Sequence, residues 1–246
     1  MYDVVIIGGG PGGYAAALYA HNFNLSVALR DKERVGGTCL LRGCIPAKSW
    51  LKTAEVFATV QKAGEFGVHT SDASIDWAAA LERKNRIVDG LVKGLSGLLK
   101  SRNVYVIDGV GRLADGGVEV AGADGIVQRV DARNVILATG SEPRAIPGYE
   151  FNGETIVSSR DALDWNERPQ RVAVIGAGAI GCEFASLLGD AGSEVHLFEM
   201  LDQVVPGAEP EAAKALTREL KKKGVKVRTG ITVGPAELRD GHVVVP

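Results

Sequence analysis

The chain has 246 residues, which is long enough for one large or two medium-sized domains. Its 28 lysines and arginines against 30 aspartates and glutamates give a net charge of −2, which offers no electrostatic basis for binding nucleic acid or an acidic membrane. With 46% hydrophobic residues, 6% aromatic residues and 32 glycines, the composition favours helices packed on parallel strands. The N-terminus lacks a secretory signal, and no apolar run of about 18 residues could span a bilayer. We therefore expect a cytoplasmic protein that binds small molecules.

The first elements along the chain predict a βαβ unit. Residues 3–7 are an apolar, β-branched run that stops at glycines, and the alanine-rich segment 14–20 follows as a helix. A second apolar run, residues 25–29, ends at Asp31. The same pattern recurs over residues 171–199, displaced by 168 residues (176 − 8). The sequence therefore contains two copies of one supersecondary unit.

The segment between the two copies has a different pattern. Residues 50–100 carry apolar side chains at helical spacing and predict long helices, whereas residues 103–137 are short β-rich runs with turn signals and predict hairpins. The stretch 143–148, which contains proline and glycine, is the best domain boundary. We therefore predict an α/β fold of two Rossmann-like domains with parallel sheets and with helical and hairpin insertions. They cover residues 1–146, with the helical insertion 50–100, and residues 147–246, the second being incomplete at its C-terminus.

The first copy carries a dinucleotide fingerprint, G-x-G-x-x-G, at Gly8, Gly10 and Gly13. The glycines permit a tight turn, close approach of a pyrophosphate and close packing of the helix, whose N-terminus supplies N–H donors to the phosphates. Asp31 lies 23 residues after Gly8 (31 − 8), where a carboxylate can accept hydrogen bonds from ribose hydroxyls. This context makes a merely tight turn the weaker interpretation.

The second copy repeats the fingerprint at Gly176, Gly178 and Gly181, and Glu199 again lies 23 residues after the first glycine (199 − 176). The repeat indicates two dinucleotides. Glu199 would repel a 2′-phosphate, and residues 200–205 contain no arginine that could bind one. We therefore expect NAD and not NADP at the second site.

A pair of cysteines, Cys39 and Cys44, lies in the segment 36–48. Residues five apart in a regular helix rise about 7.5 Å and point in different directions, which exceeds the Cα separation of about 7 Å that a disulfide allows. A bridge between them therefore needs an interrupted helix, which Gly43 and Pro46 both favour. A helix start also favours the reactive thiolate form of a cysteine.

Two other interpretations of the cysteines remain open at this point. Zinc would need about four ligands, and the chain has only one further cysteine and four scattered histidines, so we expect no metal site. Two unrelated buried thiols are the other possibility, because free cysteine packs well as a small apolar residue. Cys182, within the second fingerprint helix, is predicted to be such a packing residue.

Together these motifs resemble the pyridine nucleotide–disulfide oxidoreductases, a family of flavoproteins. The resemblance extends over essentially the whole chain. It rests on the first fingerprint with Tyr14, the segment Gly-Gly-Thr-Cys-x4-Cys-Ile-Pro-x-Lys, residues 138–141, the second fingerprint with Glu183, and residues 198–202.

The resemblance implies a role for each matching residue. Cys44 would be the sulfur that faces the flavin, Cys39 the sulfur that exchanges with substrate, and Lys48 would lie near the flavin ring, paired with Glu183. The implied FAD contacts are Gly8, Gly10, Gly13, Asp31, Gly37, Thr38, Lys48, Gly111, Thr139, Gly140 and Ser141. The implied NAD contacts are Gly176, Gly178, Ile180, Gly181, Glu183, Glu199 and Ile231. Asp31 differs from the glutamate usual in the family, which keeps the carboxylate but shortens its reach.

The implied reaction oxidises dihydrolipoamide to lipoamide and reduces NAD, through the Cys39–Cys44 disulfide and FAD, as part of cell redox homeostasis. The expected partner is a free or protein-bound lipoyl group. Full-length members of the family form homodimers, and they add a dimer-interface domain that carries a His–Glu acid/base pair, which we expect to be missing from this chain. Two alternatives are a family member that reduces glutathione or mercuric ion, which the NAD preference disfavours, and a truncated nucleotide-binding remnant without turnover.

Overall fold

The computed structural model describes residues 1–239 and 242–246. It divides into two compact units: unit 1 comprises Met1–Pro46 and Asn85–Glu142, and unit 2 comprises Ala47–Lys84 and Pro143–Pro246. Each unit contains a ladder of parallel strands together with helices, so the predicted α/β class is confirmed. The assignment of residues 1–146 and 147–246 to one dinucleotide each is a functional division, and it stays a prediction.

Unit 1 contains a mixed sheet. Its strands are β1 (Tyr2–Ile7), β2 (Val27–Asp31), β3 (Tyr105–Asp108), β4 (Val110–Ala114), β5 (Gly117–Ala121) and β6 (Val127–Leu137), in the order β3-β2-β1-β6-β5-β4. The ladder from β3 to β6 is parallel, while β4, β5 and the start of β6 form an antiparallel meander. The predicted hairpins are confirmed for β4 to β6. The prediction is wrong for β3, because this segment pairs in parallel with β2 and not with its neighbour in sequence.

The two faces of the unit 1 sheet are buried differently. Helix α1 (Pro11–His21) covers one face, where its small residue Ala17 packs with Val4, Ile6 and Leu29. On the other face, alternate residues of the same strands, such as Val5 and Ala28, pack against the meander. Because successive strand residues point to opposite faces, this alternation buries β1 and β2 on both sides and explains their continuous apolar runs.

Three helices follow β2. Helix α2 (Gly37–Arg42) ends at Gly43, and helix α3 (Cys44–Gln61) begins at the next residue. A short 3-10 helix, Ala63–Phe66, precedes helix α4 (Trp77–Ser101). The predicted helices over residues 50–100 are therefore confirmed, and their part up to Lys84 belongs to unit 2.

Unit 2 repeats the parallel βαβ arrangement. Strands β7 (Arg171–Ile175), β8 (Glu194–Phe198) and β9 (Lys226–Arg228) pair in parallel in that order, and β10 (Glu237–Arg239) with β11 (His242–Val244) forms an antiparallel pair. The helices are α5 (Ser159–Ala162), α6 (Ala179–Asp190) and α7 (Pro210–Lys222). Helix α7 was not predicted, although Pro210 stands at its start and its apolar residues Ala213 and Leu220 face the core at helical spacing.

The core of unit 2 joins the helical segment 47–84 to the second βαβ copy. The rings of Trp50 and Trp77 stack with centroids 4.3 Å apart. The indole of Trp50 donates to the carbonyl of Leu163 at 3.0 Å, and that of Trp77 donates to the carbonyl of Trp165 at 2.9 Å. These bonds satisfy the polar edge of each buried ring. Within the described ranges, no helix is both long and apolar enough to cross a membrane.

Candidate functional site

The first glycine turn connects β1 to α1. Gly8 has φ +113° and donates its N–H to the carbonyl of Arg30 at 2.7 Å, and Gly10 is the N-cap of α1. A Cβ at Gly8 would lie 2.1 Å from the carbonyl oxygen of Ala138, and one at Gly13 would lie 1.7 Å from the carbonyl oxygen of Gly8. Only glycine fits at these two positions, so the turn can present its N–H groups closely to a ligand.

Asp31 is held by the first turn. Its Oδ2 accepts from the N–H of Gly9 at 2.5 Å, and its Oδ1 accepts from the N–H of Glu33 at 3.1 Å. The start of α2 approaches the same turn, because a Cβ at Gly37 would lie 2.4 Å from Cα of Gly10. Unit 1 therefore brings the three fingerprint glycines, Asp31 and Gly37 together, as a dinucleotide site requires.

The remaining predicted FAD contacts in unit 1 lie in three places. Residues Thr139, Gly140 and Ser141 are exposed just after β6, and the backbone nitrogen of Thr139 lies 3.2 Å from where a Cβ of Gly8 would stand. Thr38 is exposed in the first turn of α2. Gly111, on β4, lies against Arg30, whose Cδ would be 2.4 Å from a Cβ at that glycine. The structure places Gly111 beside Arg30.

The second glycine turn has the same hydrogen bonds. Gly176 has φ +98° and donates to the carbonyl of Phe198 at 2.8 Å, Gly178 is the N-cap of α6, and a Cβ at Gly181 would lie 1.9 Å from the carbonyl oxygen of Gly176. Glu199 accepts from the N–H of Ala177 at 2.8 Å. The predicted repeat is thus a repeat of geometry as well as of sequence.

The other predicted NAD contacts lie at the carboxyl ends of β8 and β9 and on α6. Glu199 is 8% exposed, its Oε1 accepts from the N–H of Leu201 at 3.0 Å, and its carbonyl accepts from the N–H of Ile231 at 3.0 Å. Ile180 is 61% exposed in the first turn of α6. Glu199 and Ile231 are therefore adjacent, at the edge of the parallel sheet where nucleotides bind in folds of this kind.

The cysteine segment has the helical interruption that the spacing predicted. Cys39 lies within α2 and is half-buried, whereas Cys44 is the first residue of α3 and is exposed. A Cβ at Gly43 would lie 2.8 Å from the carbonyl oxygen of Thr38, so the break between α2 and α3 has no room for a side chain at this residue. Pro46 is buried in the first turn of α3, where its missing N–H is tolerated.

The ion pair expected between Lys48 and Glu183 is present. Nζ of Lys48, on α3, donates to Oε1 of Glu183, on α6. Both residues belong to unit 2, and the two side chains are 59% and 35% exposed. That Lys48 lies near a flavin stays a prediction.

Cys182 is more deeply buried than Cys39 and Cys44. It is 5% exposed in the core of unit 2, its thiol donates to the carbonyl of Ala177 at 3.3 Å, and burial raises its pKa above the ordinary thiol value. The prediction that it is a packing residue is confirmed. Among the residues that the structure describes, no cluster of histidine, cysteine and acidic side chains could hold a metal ion.

The residues of both turns fit dinucleotides. Among the described residues, the nearest atom to a Cβ position at Gly10 is Cα of Gly37 at 3.6 Å, and none lies within 4 Å of a Cβ position at Gly176 or Gly178, so both turns leave open space beside the start of their helix. Sequence reasoning missed Arg30, which is 5% exposed on β2 beside Asp31. The signal in the sequence was a charged residue directly after the apolar run Val27 to Leu29 and before Asp31.

Comparison with known proteins identifies the class of fold and site. A family model described as pyridine nucleotide-disulphide oxidoreductase matches residues 2–245, and the chain belongs to this family. It is 40% identical over 243 residues to a dihydrolipoyl dehydrogenase of Bacillus subtilis, covering 95% of this chain and 51% of the relative. It is 41% identical over 239 residues to a dihydrolipoyl dehydrogenase of Chlamydia muridarum, covering 96% of this chain and 51% of the relative.

Two solved structures share the fold. LpdA from Mycobacterium tuberculosis superposes with a TM-score of 0.90 at 27% identity, over 98% of this chain and 54% of that chain. The flavoprotein disulfide reductase RclA from Escherichia coli, a Cu(II) complex, gives a TM-score of 0.84 at 25% identity, over 100% of this chain and 53% of that chain. The chain spans about half the length of the curated relatives it matches.

Proposed function

We propose that this chain is the cofactor-binding and disulfide-bearing part of a flavin-dependent oxidoreductase that converts dihydrolipoamide and NAD to lipoamide and NADH. One observation carries the proposal. Gly37 packs on Gly10 of the first turn, and Cys39 follows two residues later, before the helix break at Gly43. Cys39 therefore closely follows a residue that contacts the first glycine turn, and both cysteines belong to the same compact unit as that turn.

The division of ligands follows from the two turns. The first turn would hold FAD through its glycine N–H groups, with Asp31 on the ribose and with Gly37, Thr38, Gly111 and residues 139–141 along the cofactor. The second would hold NAD, since Glu199 offers a carboxylate to ribose hydroxyls and would repel a 2′-phosphate. Residues 1–146 and 147–246 would then be the FAD and NAD domains.

The two cysteines would accept electrons from the substrate by thiol–disulfide exchange. A substrate thiolate attacks the sulfur of Cys39 and breaks the Cys39–Cys44 disulfide, so that Cys44 leaves as a thiolate. The second substrate thiolate then attacks the substrate sulfur of the mixed disulfide and displaces Cys39 as a thiolate. This closes the lipoamide disulfide and leaves the cysteine pair reduced by two electrons in total. When bound, FAD would take these two electrons and pass them to NAD as a hydride.

Lys48 and Glu183 are included among the proposed catalytic residues because the family resemblance implies both. Lys48 lies four residues after Cys44 on α3, and residues at that spacing share one face of a helix. Glu183 holds the Lys48 ammonium in place.

The names of the curated relatives support the lipoyl substrate, free or protein-bound. We further propose that the complete enzyme acts in the cytoplasm, where a reducing environment suits a cycling cysteine pair, and as a homodimer, as the family resemblance implies.

The test is an anaerobic titration of the FAD-loaded chain with dihydrolipoamide and separately with NADH, followed by flavin absorption. We expect both reductants to change the flavin spectrum of the unaltered chain. In Cys39→Ser and Cys44→Ser, NADH should still act while dihydrolipoamide should not. Cys182→Ser is the matched control and should respond to both reductants.

Two outcomes would overturn the proposal. If neither reductant alters the flavin of the unaltered chain, the electron-transfer function fails. If dihydrolipoamide reduces the flavin equally well in both serine variants, the cysteine pair is not the route.

A further inference from the structure

The two units differ at the residue that precedes the acidic end of the second strand of each copy. In unit 2 this residue is Phe198, whose ring lies 5.5 Å from the guanidinium carbon of Arg228. In unit 1 it is Arg30, a charged residue at a position where its counterpart is aromatic. The first site therefore has a cationic group that the second lacks at this position.

The Arg30 side chain is buried, and some of its hydrogen-bond donors have no acceptor within the described part of the chain. The residue is 5% exposed, and its Nε and Nη2 atoms are buried and have no hydrogen-bond partner among residues 1–239 and 242–246. Burial lowers the pKa of its guanidinium, and the charge of Asp31 opposes that shift. A buried guanidinium with unsatisfied donors destabilises the fold unless an acceptor reaches it, since desolvation of the charge is not offset.

The neighbours of the Arg30 side chain indicate where a hydrogen-bond acceptor would lie. Its Cδ, Nε and Cζ pass over Gly111, lying 2.4, 2.8 and 3.4 Å from where a Cβ would stand. On the same strand, the next residue is Asp31, which is bonded to the first glycine turn. Arg30 thus stands between the residue proposed for the ribose and a glycine proposed to contact FAD.

We propose that Arg30 is a specificity-determining residue of the first site, whose guanidinium donates hydrogen bonds to acceptors on the adenosine half of FAD. The inference rests on the proposed function, because it assumes that FAD occupies the first turn. Adenine ring nitrogens and ribose hydroxyls are acceptors that suit the guanidinium, and its plane can also stack on an aromatic base. Because Gly111 has no Cβ, the guanidinium can lie across this glycine, beside Asp31.

The test compares FAD with FMN, which lacks the adenosine half, in the chain freed of flavin and in Arg30→Met. Hydrogen bonds to a charged group are typically worth enough that their loss weakens binding about 10- to 100-fold. We expect the dissociation constant for FAD, measured by flavin fluorescence, to rise by that factor while that for FMN changes less than about twofold. Arg102→Met, which removes an exposed arginine after α4, should change neither.

A second measurement separates binding from folding. Because Arg30→Met replaces a buried, incompletely bonded charge by an apolar side chain of similar length, the flavin-free variant should have an equal or higher Tm than the unaltered chain. Arg30→Lys keeps the charge, and it should bind FAD more tightly than Arg30→Met. A merely structural role would instead lower the Tm and weaken FAD and FMN equally.

The outcomes are distinguishable. If the unaltered chain binds FAD and Arg30→Met binds it as tightly, the role of Arg30 is wrong and the proposed function stands. If FAD and FMN lose affinity in parallel, the role of Arg30 is also wrong. If the unaltered chain binds no FAD, both the role of Arg30 and the proposed function fail.

Discussion

The two glycine turns have the same local structure, but they use different residues for the hydrogen bond between the turn and the acidic side chain at the strand end. Val4 pairs with Val27 in unit 1, and Val172 pairs with Val195 in unit 2, each displaced by 168 residues (172 − 4 and 195 − 27). In the first turn a short carboxylate, Asp31, bonds to Gly9, and in the second a longer one, Glu199, bonds to Ala177.

This difference shows that the residue after the first glycine and the acidic residue are matched as a pair. A Cβ at Gly9 would lie 2.6 Å from Oδ2 of Asp31, so the shorter carboxylate requires glycine there. Glutamate reaches the backbone N–H of Ala177 at 2.8 Å with one more methylene, and this leaves room for a methyl group. The difference between Gly9 and Ala177 therefore goes together with the difference between Asp31 and Glu199 at the strand end.

The largest expected effect comes from breaking the first turn alone. In Gly13→Val the new side chain would meet the carbonyl of Gly8, whose oxygen lies 1.7 Å from the Cβ position, and α1 would be pushed off β1. We expect FAD affinity to fall at least about 100-fold, which corresponds to about 3 kcal/mol. Equilibrium dialysis with FAD measures the loss.

Gly12→Ala is the matched control for that variant. A Cβ there would have its nearest contact at 3.9 Å, and the corresponding residue of the second copy is the exposed Ile180. We expect FAD binding within about twofold of the unaltered chain, and an equal loss in both variants would contradict the close-packing argument.

An intermediate effect tests the matching of the paired residues. Gly9→Ala alone should weaken FAD binding about tenfold, since overpacking against Asp31 costs about 1–2 kcal/mol. Adding Asp31→Glu should restore most of the affinity, because it reproduces the pair of the second turn. A double-mutant cycle measures the coupling, and additive losses would show that the pair is not matched.

The fold was more predictable from the sequence than the site. Both fingerprints, the acidic strand ends and the interruption near Gly43 follow from local rules, because glycine, proline and apolar periodicity act on neighbouring residues. The parallel pairing of β3 with β2 was missed, since partners distant in sequence are chosen by burial of both faces. The same holds for Arg30, whose isolation in the core depends on the packing of β4.

The smallest expected effect concerns carboxylates that form hydrogen bonds near the start of the second strand of each copy. In unit 1, Ser26 hydrogen bonds lower the pKa of Asp3. In unit 2, hydrogen bonds from Lys226 and His196 lower the pKa of Glu194 to about 2 from its ordinary 4.5. A depressed carboxylate pKa means that its ionised form stabilises the fold above about 4.5 and that this contribution is lost as the pH falls through about 2.

We therefore expect Glu194→Gln to lower the Tm slightly at neutral pH, with the difference shrinking steadily as the pH is lowered below about 4.5. Thermal unfolding monitored by circular dichroism across this range provides the measurement. A Tm difference that grows on acidification would have the wrong sign for this ion pair.

The central claim, that the two turns bind two different cofactors, is tested most directly by adding NADH anaerobically to the FAD-loaded chain and to its Gly181→Val variant. A Cβ at Gly181 would lie 1.9 Å from the carbonyl oxygen of Gly176, so the substitution damages only the second turn. We predict equal FAD content in both proteins, with the flavin absorption bleached by NADH in the unaltered chain and persisting in the variant. Equal bleaching in both, or loss of FAD from the variant alone, would contradict the account.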